Sequence, residues 1–145
     1  QGQTVGEPET VALSELVRQC WGTVATDDAT IDVRCEATIR ADPSRLADVF
    51  ENLFRNAVEH SDEPVSITVA TTADGFAVAD DGPGIPPDDR EQVFETGYST
   101  NRDGTGFGLA IIREVVEAHG WAISVGESAA GGARFEITGV EFVDR

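Results

Sequence analysis

Apolar and polar positions along this chain switch between two periods. In "TVALSELVRQCWGTV", Val11, Leu13, Leu16, Val17 and Cys20 recur at helical spacing, which predicts a short helix ended by Gly22. "TIDVRCEATIRAD" alternates Ile31, Val33 and Cys35 against Asp32, Arg34 and Glu36. That predicts a strand, a turn and a short strand near Ile39. Asp42-Pro43 then opens a helix to about His60, with Asp42 or Ser44 as cap and Pro43 in the first turn. Leu46, Val49, Phe50, Leu53, Phe54 and Ala57 form its apolar stripe. "VSITVATT" and "GFAVAD" read as a hairpin about Asp74-Gly75. "DDGPGIPPDD" is a loop by its glycines and prolines, "REQVF" a helical turn, and "ETGYSTNRDGTG" a polar loop. "FGLAIIREVVEAHG" is a helix with Leu109, Ile112, Val115, Val116 and His119 inward and Gly120 at its end. Two more strands flank Gly131-Gly132. Strands interspersed with three helices predict an α/β (α+β) two-layer sandwich.

Composition narrows the function. The chain has 145 residues, enough for one core, and 40% of them are apolar. No run approaches the roughly 18 apolar residues of a membrane span. It opens on "QGQTVGEPET" without methionine, and reads as an excised domain: residues 1–10 a linker, 11–145 the domain. Acids outnumber bases 27 to 10, for a net charge of −17, and every base is arginine. With no basic cluster, a nucleic-acid partner is not expected. A very acidic, lysine-free chain fits a salt-rich cytoplasm such as a haloarchaeon's, where surface carboxylates maintain solubility; an acidic mesophilic domain is the alternative. Cys20 and Cys35 lack CxxC spacing and read as buried thiols; two histidines make a zinc site improbable.

Three clusters carry candidate chemistry. "GTGFGL", with Gly104, Gly106 and Gly108, opens onto a helix whose free N–H groups suit phosphate. It is neither the P-loop, which needs a lysine, nor GxGxxG; a flexible loop is the plain alternative. In "DDGPGI", Asp80 ends an apolar strand, so its carboxylate needs donors, and an amine on a heterocycle is one. Gly82 and Gly84 would let a flat ring pack nearby. The alternatives are an acidic turn with Asp81 solvated, or a calcium loop whose spacing fails at Ala77 and Ala79. Asn52 and Asn56 lie four apart on a helix and share a face. An amide oxygen is a hard ligand that suits Mg²⁺ beside phosphate; a solvated polar face is the alternative.

In order and together, these motifs resemble the ATP-binding domain of sensor histidine kinases, in the GHKL superfamily with the Bergerat fold. "NLFRNAVEHS" resembles the N box, "DDGPG" the first glycine box and "VFETGYST" the F box. "GTGFGL" resembles the second glycine box and "GGARFEI" the last; the likeness covers roughly residues 11 to 140. It implies a mixed, mostly antiparallel sheet packed on about three helices, with a mobile lid over residues 95–107. It implies that Asn56 ligates the Mg²⁺ of Mg-ATP, that Asn52 helps hold that site, and that Asp80 receives the adenine amine. Gly82, Gly84, Ile85, Leu109 and Ala133 would line the nucleotide pocket. Thr100, Arg102, Gly104, Thr105, Gly106, Phe107 and Gly108 would face the phosphates, with Arg55 and His60 as nearby cations. Glu59 and Ala133 depart from the pattern and point to modest affinity.

The implied function is transfer of the ATP γ-phosphoryl group to a histidine in an upstream dimerisation domain, ahead of a response regulator. His119 reads as a packed helix-end residue and His60 lacks the phosphoacceptor's context, so the chain alone is expected to be monomeric and not to phosphorylate itself. The full-length protein is expected to be a homodimer, with this domain cytoplasmic. Two rivals stay open: a nucleotide-binding signalling module without transfer, and a hydrolytic GHKL ATPase. Hydrolytic relatives carry glutamate where Asn52 stands; here the acid is Glu51, about 100° round the helix.

Overall fold

The computed structural model describes residues 7–24, 28–59, 64–82, 84–85, 88 and 108–143. Its elements follow in the order β1 (Glu9–Ala12), α1 (Leu13–Thr23), β2 (Thr30–Arg34), β3 (Thr38–Ala41), α2 (Pro43–Glu59), β4 (Ser66–Thr71), β5 (Gly75–Asp80), α3 (Gly108–Ala118), β6 (Ala122–Glu127) and β7 (Ala133–Thr138). Five strands form one mixed sheet in the order β2-β4-β5-β7-β6, and β1 and β3 form a separate pair. β2 runs parallel to β4; the other neighbours are antiparallel. The expected two-layer α/β architecture is therefore present, with three helices among the described residues.

Each helix buries the face its sequence marked. Leu13, Leu16, Val17 and Cys20 are buried on α1, and Leu46, Val49, Phe50, Leu53, Phe54 and Ala57 on α2. Such i, i+3, i+4, i+7 sets make one apolar stripe. On α3, Leu109, Ile112, Val115 and Val116 are buried. Alternate residues of β4 (Ile67, Val69) and β7 (Ala133, Phe135, Ile137) face the same core. Aromatic rings link the layers: Phe50 lies 5.3 Å from Phe76 on β5, and Phe76 meets Trp121 edge-on at 6.4 Å.

Four local details differ from or refine the sequence reading. Thr10 and Val11, read as linker end and helix face, belong to β1, where Glu9 pairs with Ala41 and Val11 with Ile39. Tertiary pairing overrides the helical period there, and Leu13 N–H bonds Ala37 O at 3.0 Å where the helix begins. Gly22 does not end α1, which continues to Thr23; Thr23 Oγ1 donates to Gln19 O and Val24 N–H to Cys20 O. Asp42 is the cap of α2: its Oδ1 accepts from Ser44 N–H at 3.0 Å and Arg45 N–H at 3.3 Å. At the end of α3, Trp121 N–H bonds Val116 O and Gly120 N–H bonds Glu117 O, a Schellman pattern at the predicted stop.

Candidate functional site

The best-defined part of the site is the end of β5. Asp80 Oδ1 accepts from Gly82 N–H at 2.9 Å and from Ala133 N–H at 3.1 Å. A half-buried carboxylate at a strand end thus receives amides from its own loop and from the start of β7. Two such hydrogen bonds fix the plane of the carboxylate. Neighbouring Asp81 has a different task. It is exposed, but its Oδ1 accepts from Ser66 N–H at 2.8 Å and its N–H donates to Ser66 O at 3.2 Å, tying the ends of β4 and β5. It is not simply solvated.

The β6–β7 turn presses on Asp80. A Cβ on Gly132 would run into the Asp80 carbonyl and carboxylate oxygens, so only glycine permits this approach. Gly84 has φ of +78°, and a Cβ there would lie 3.0 Å from Gly131 O. Ile85 packs against the core beside it. Ser128 is a participant that sequence reasoning missed. It is 6% exposed; its Oγ donates to Asp80 O at 2.6 Å and accepts from Gly132 N–H at 2.9 Å. A lone serine in a polar turn gives no pattern to find it by.

The asparagine pair lies on α2, both residues half-buried beside the stripe. They differ in engagement. Asn52 Nδ2 donates to Asp48 O at 2.7 Å, and its Oδ1 accepts from exposed Arg55 at 3.4 Å. Asn56 has no hydrogen-bond partner for its carboxamide among the described residues. Neither asparagine bonds to the Asp80 cluster; the two parts of the site sit on different elements. Glu51 and Asp48 both act on the Cys20 thiol of α1, which burial first of all, then these carboxylates, push up to about 12.

α3 packs against α2 and begins at Gly108, with Leu109 buried beneath its first turn. His60, Thr100, Arg102, Gly104, Thr105, Gly106 and Phe107, and with them the expected lid, F box and "REQVF" turn, lie outside the described residues. Among those described, no group of three or more His, Cys, Asp or Glu side chains would hold a metal, and no helix is long and apolar enough to cross a membrane. The amide oxygen of Asn56 is chemically suited to a hard metal.

A mixed sheet backed by three helices, with an acid pinned at a strand end under a double-glycine turn, defines a class of nucleotide-binding ATPase domain. The family of histidine kinase-, DNA gyrase B- and HSP90-like ATPases matches residues 41–140, and this chain belongs to it. The sensor histidine kinase ZraS of Salmonella typhimurium is 33% identical over 141 residues, covering 89% of this chain. The chain spans about 30% of the length of that relative. Among solved structures, the mycobacterial sensor histidine kinase MprB superposes with a TM-score of 0.79 at 27% identity, over 92% of this chain and 97% of that one. Full-length ShkA in complex with AMPPNP gives 0.77 at 31% identity, over 94% of this chain and 32% of that one.

Proposed function

We propose that this chain is the catalytic, ATP-binding domain of a sensor histidine kinase acting in two-component signalling. It binds Mg-ATP and passes the γ-phosphoryl group to a histidine of an upstream dimerisation domain. The bond from γ-phosphorus to the ADP oxygen breaks as a bond to imidazole nitrogen forms. The observation that carries this reading is the Asp80 carboxylate, held by the amides of Gly82 and Ala133 in a family member whose similar curated relatives are sensor kinases.

In this reading Asp80 accepts the adenine amine, and Gly82, Gly84, Ile85, Leu109 and Ala133 enclose the purine. Asn56 supplies an amide oxygen to Mg²⁺, with Asn52 and Arg55 bracing it. Thr100, Arg102, Gly104, Thr105, Gly106, Phe107 and Gly108 serve the phosphates, with His60 nearby. The metal, when bound, supplies neutralisation of phosphate charge; phosphoryl transfer asks mainly for that and for positioning. Support against hydrolysis comes from Asn52, whose amide serves the α2 backbone and offers no base.

The wider reading is a cytoplasmic domain, monomeric alone and homodimeric in the full-length kinase, downstream of a linker that ends near β1 and upstream of a response regulator. The host is a salt-loving organism; a charge of −17 without lysine supports this. Calorimetry with Mg-ATP, followed by transfer to the chain joined to its upstream domain, tests the proposal. Binding by the isolated chain, with label from γ-labelled ATP appearing only on the joined form, is expected. Steady phosphate release by the isolated chain would instead favour a hydrolytic ATPase.

A further inference from the structure

Ser128 is the buried polar side chain of the described core, and the site residues considered so far do not explain it. It joins three pieces of backbone. Its Oγ donates to the Asp80 carbonyl at 2.6 Å and accepts from Gly132 N–H at 2.9 Å. Its own N–H donates to Gly132 O at 2.8 Å, and its carbonyl accepts from Gly131 N–H at 3.0 Å. The next residue, Ala133, sends its N–H to Asp80 Oδ1. The hydroxyl therefore fixes the main chain of Asp80 and, through Gly132, the amide that holds the Asp80 side chain.

We infer that Ser128 is a positioning residue for base selection: it aims the Asp80 carboxylate, so that a purine bearing an exocyclic amine is preferred to one bearing a carbonyl oxygen. This rests on the proposed adenine site and adds to it the residue that sets its discrimination. A carboxylate can accept about four hydrogen bonds, and Oδ1 already receives two amides. The orientation of the carboxylate is set by the turn that Ser128 clips. Loss of the clip frees the Gly131–Ala133 turn to shift by the fraction of an ångström that spoils a directed hydrogen bond. A carbonyl oxygen at the position of the amine cannot donate to the carboxylate, so binding of that base depends less on the clip.

The test compares ATP with inosine triphosphate, each with Mg²⁺, by calorimetry on wild type, Ser128→Ala, Ser128→Cys and Ser128→Thr. Removing a hydrogen bond of this kind corresponds to roughly a tenfold change. The ATP preference is expected to fall by about that factor in Ser128→Ala, through weaker ATP binding, and to be kept in Ser128→Thr. Ser128→Cys keeps the volume with a poor hydrogen-bonding group; it is expected to lose preference too, and it decides the matter if the alanine variant does not fold. Equal weakening toward both nucleotides, or an unchanged preference, overturns the inference while leaving the adenine site intact. Wild type that binds neither nucleotide, or both equally, overturns the site and the inference together.

Discussion

The Nε2 atom of His119 accepts a hydrogen bond from the backbone N–H of Asp42 at 3.1 Å, joining the end of α3 to the cap of α2 across 77 positions of sequence. On its other side, Nδ1 lies 2.8 Å from Val115 O, so the hydrogen-bond network assigns the proton to Nδ1. The ring stacks on Trp121 with centroids 4.2 Å apart. In a capping box, a glutamate or glutamine three residues into the helix satisfies the cap N–H. Here Arg45 occupies that position, its side chain carries only donor groups, and His119 takes over the task from the end of another helix. His119→Ala is expected to destabilise the domain by about 2–3 kcal/mol, combining an unsatisfied N–H with a lost ring stack. His119→Phe keeps the stack and should cost less. Urea unfolding of both variants checks this; equal stabilities for wild type and His119→Ala would refute it.

Asn56→Ala removes a half-buried carboxamide with no partner among the described residues. Stability is expected to change by less than about 0.5 kcal/mol. Nucleotide affinity should fall in the presence of Mg²⁺ and hardly at all in EDTA. Calorimetry under both conditions measures the difference, and a metal-independent loss would remove Asn56 from the proposed metal site.

Asp80→Asn exchanges a charged acceptor for a neutral one. Hydrogen bonds to charged groups are worth about 1.5–3 kcal/mol, so ATP affinity should drop roughly 10- to 100-fold. Gly132→Ala should act on the same spot by sterics, forcing β7 away from Asp80, and should lower both melting temperature and affinity. A Gly132→Ala protein with wild-type stability would contradict the close approach described here.

The cysteines give a signed prediction for alkaline pH. Burial, reinforced by Glu51 and Asp48, raises Cys20 from 9.0 to about 12; burial raises Cys35 from 9.0 to about 11 against the opposing pull of Arg18. The folded chain therefore holds protons that the unfolded chain releases first. The stability they contribute is complete below pH 9 and is lost as pH rises toward about 12 for Cys20 and about 11 for Cys35. Denaturation midpoints between pH 8 and 11 should decline less in Cys20→Ala/Cys35→Ala than in wild type. At pH 8 a thiol reagent should label the native protein slowly and the unfolded protein at once.

Salt should stabilise the domain. Ion pairs among the described residues include Arg34–Asp32, Arg45–Asp48, Arg113–Glu117 and Arg134–Glu136, which join near neighbours on partly exposed side chains. Such pairs contribute little, and leave the self-repulsion of a −17 chain largely unrelieved. In molar salt the screening length is about 3 Å. The melting temperature is expected to climb with KCl into the molar range, and ATP binding should persist there. A melting temperature highest in dilute buffer would speak against a salt-rich host.

What could be read from the sequence was local. Stripes such as Leu46–Ala57, the Asp42-Pro43 start, the Gly120 stop and the strand alternations announce themselves within a few residues, and so do the places of Asp80 at a strand end and of the two asparagines on one helix. What escaped was set at a distance. β1 was hidden because Val11, Leu13 and Leu16 continue a helical period, and only pairing with β3 decides otherwise. Ser128 and the His119–Asp42 bond join residues 48 and 77 apart, with no period to mark them.

The pairing of β1 with β3 has a mechanical corollary. Glu9, where the chain enters the fold, lies opposite Ala41, and Ala41 is followed directly by the Asp42 cap of α2. A pull or twist arriving from preceding residues is borne first by that rung of the ladder. The strand it loads leads without slack into the helix that carries both asparagines, so the chain's point of entry is also a lever arm on α2.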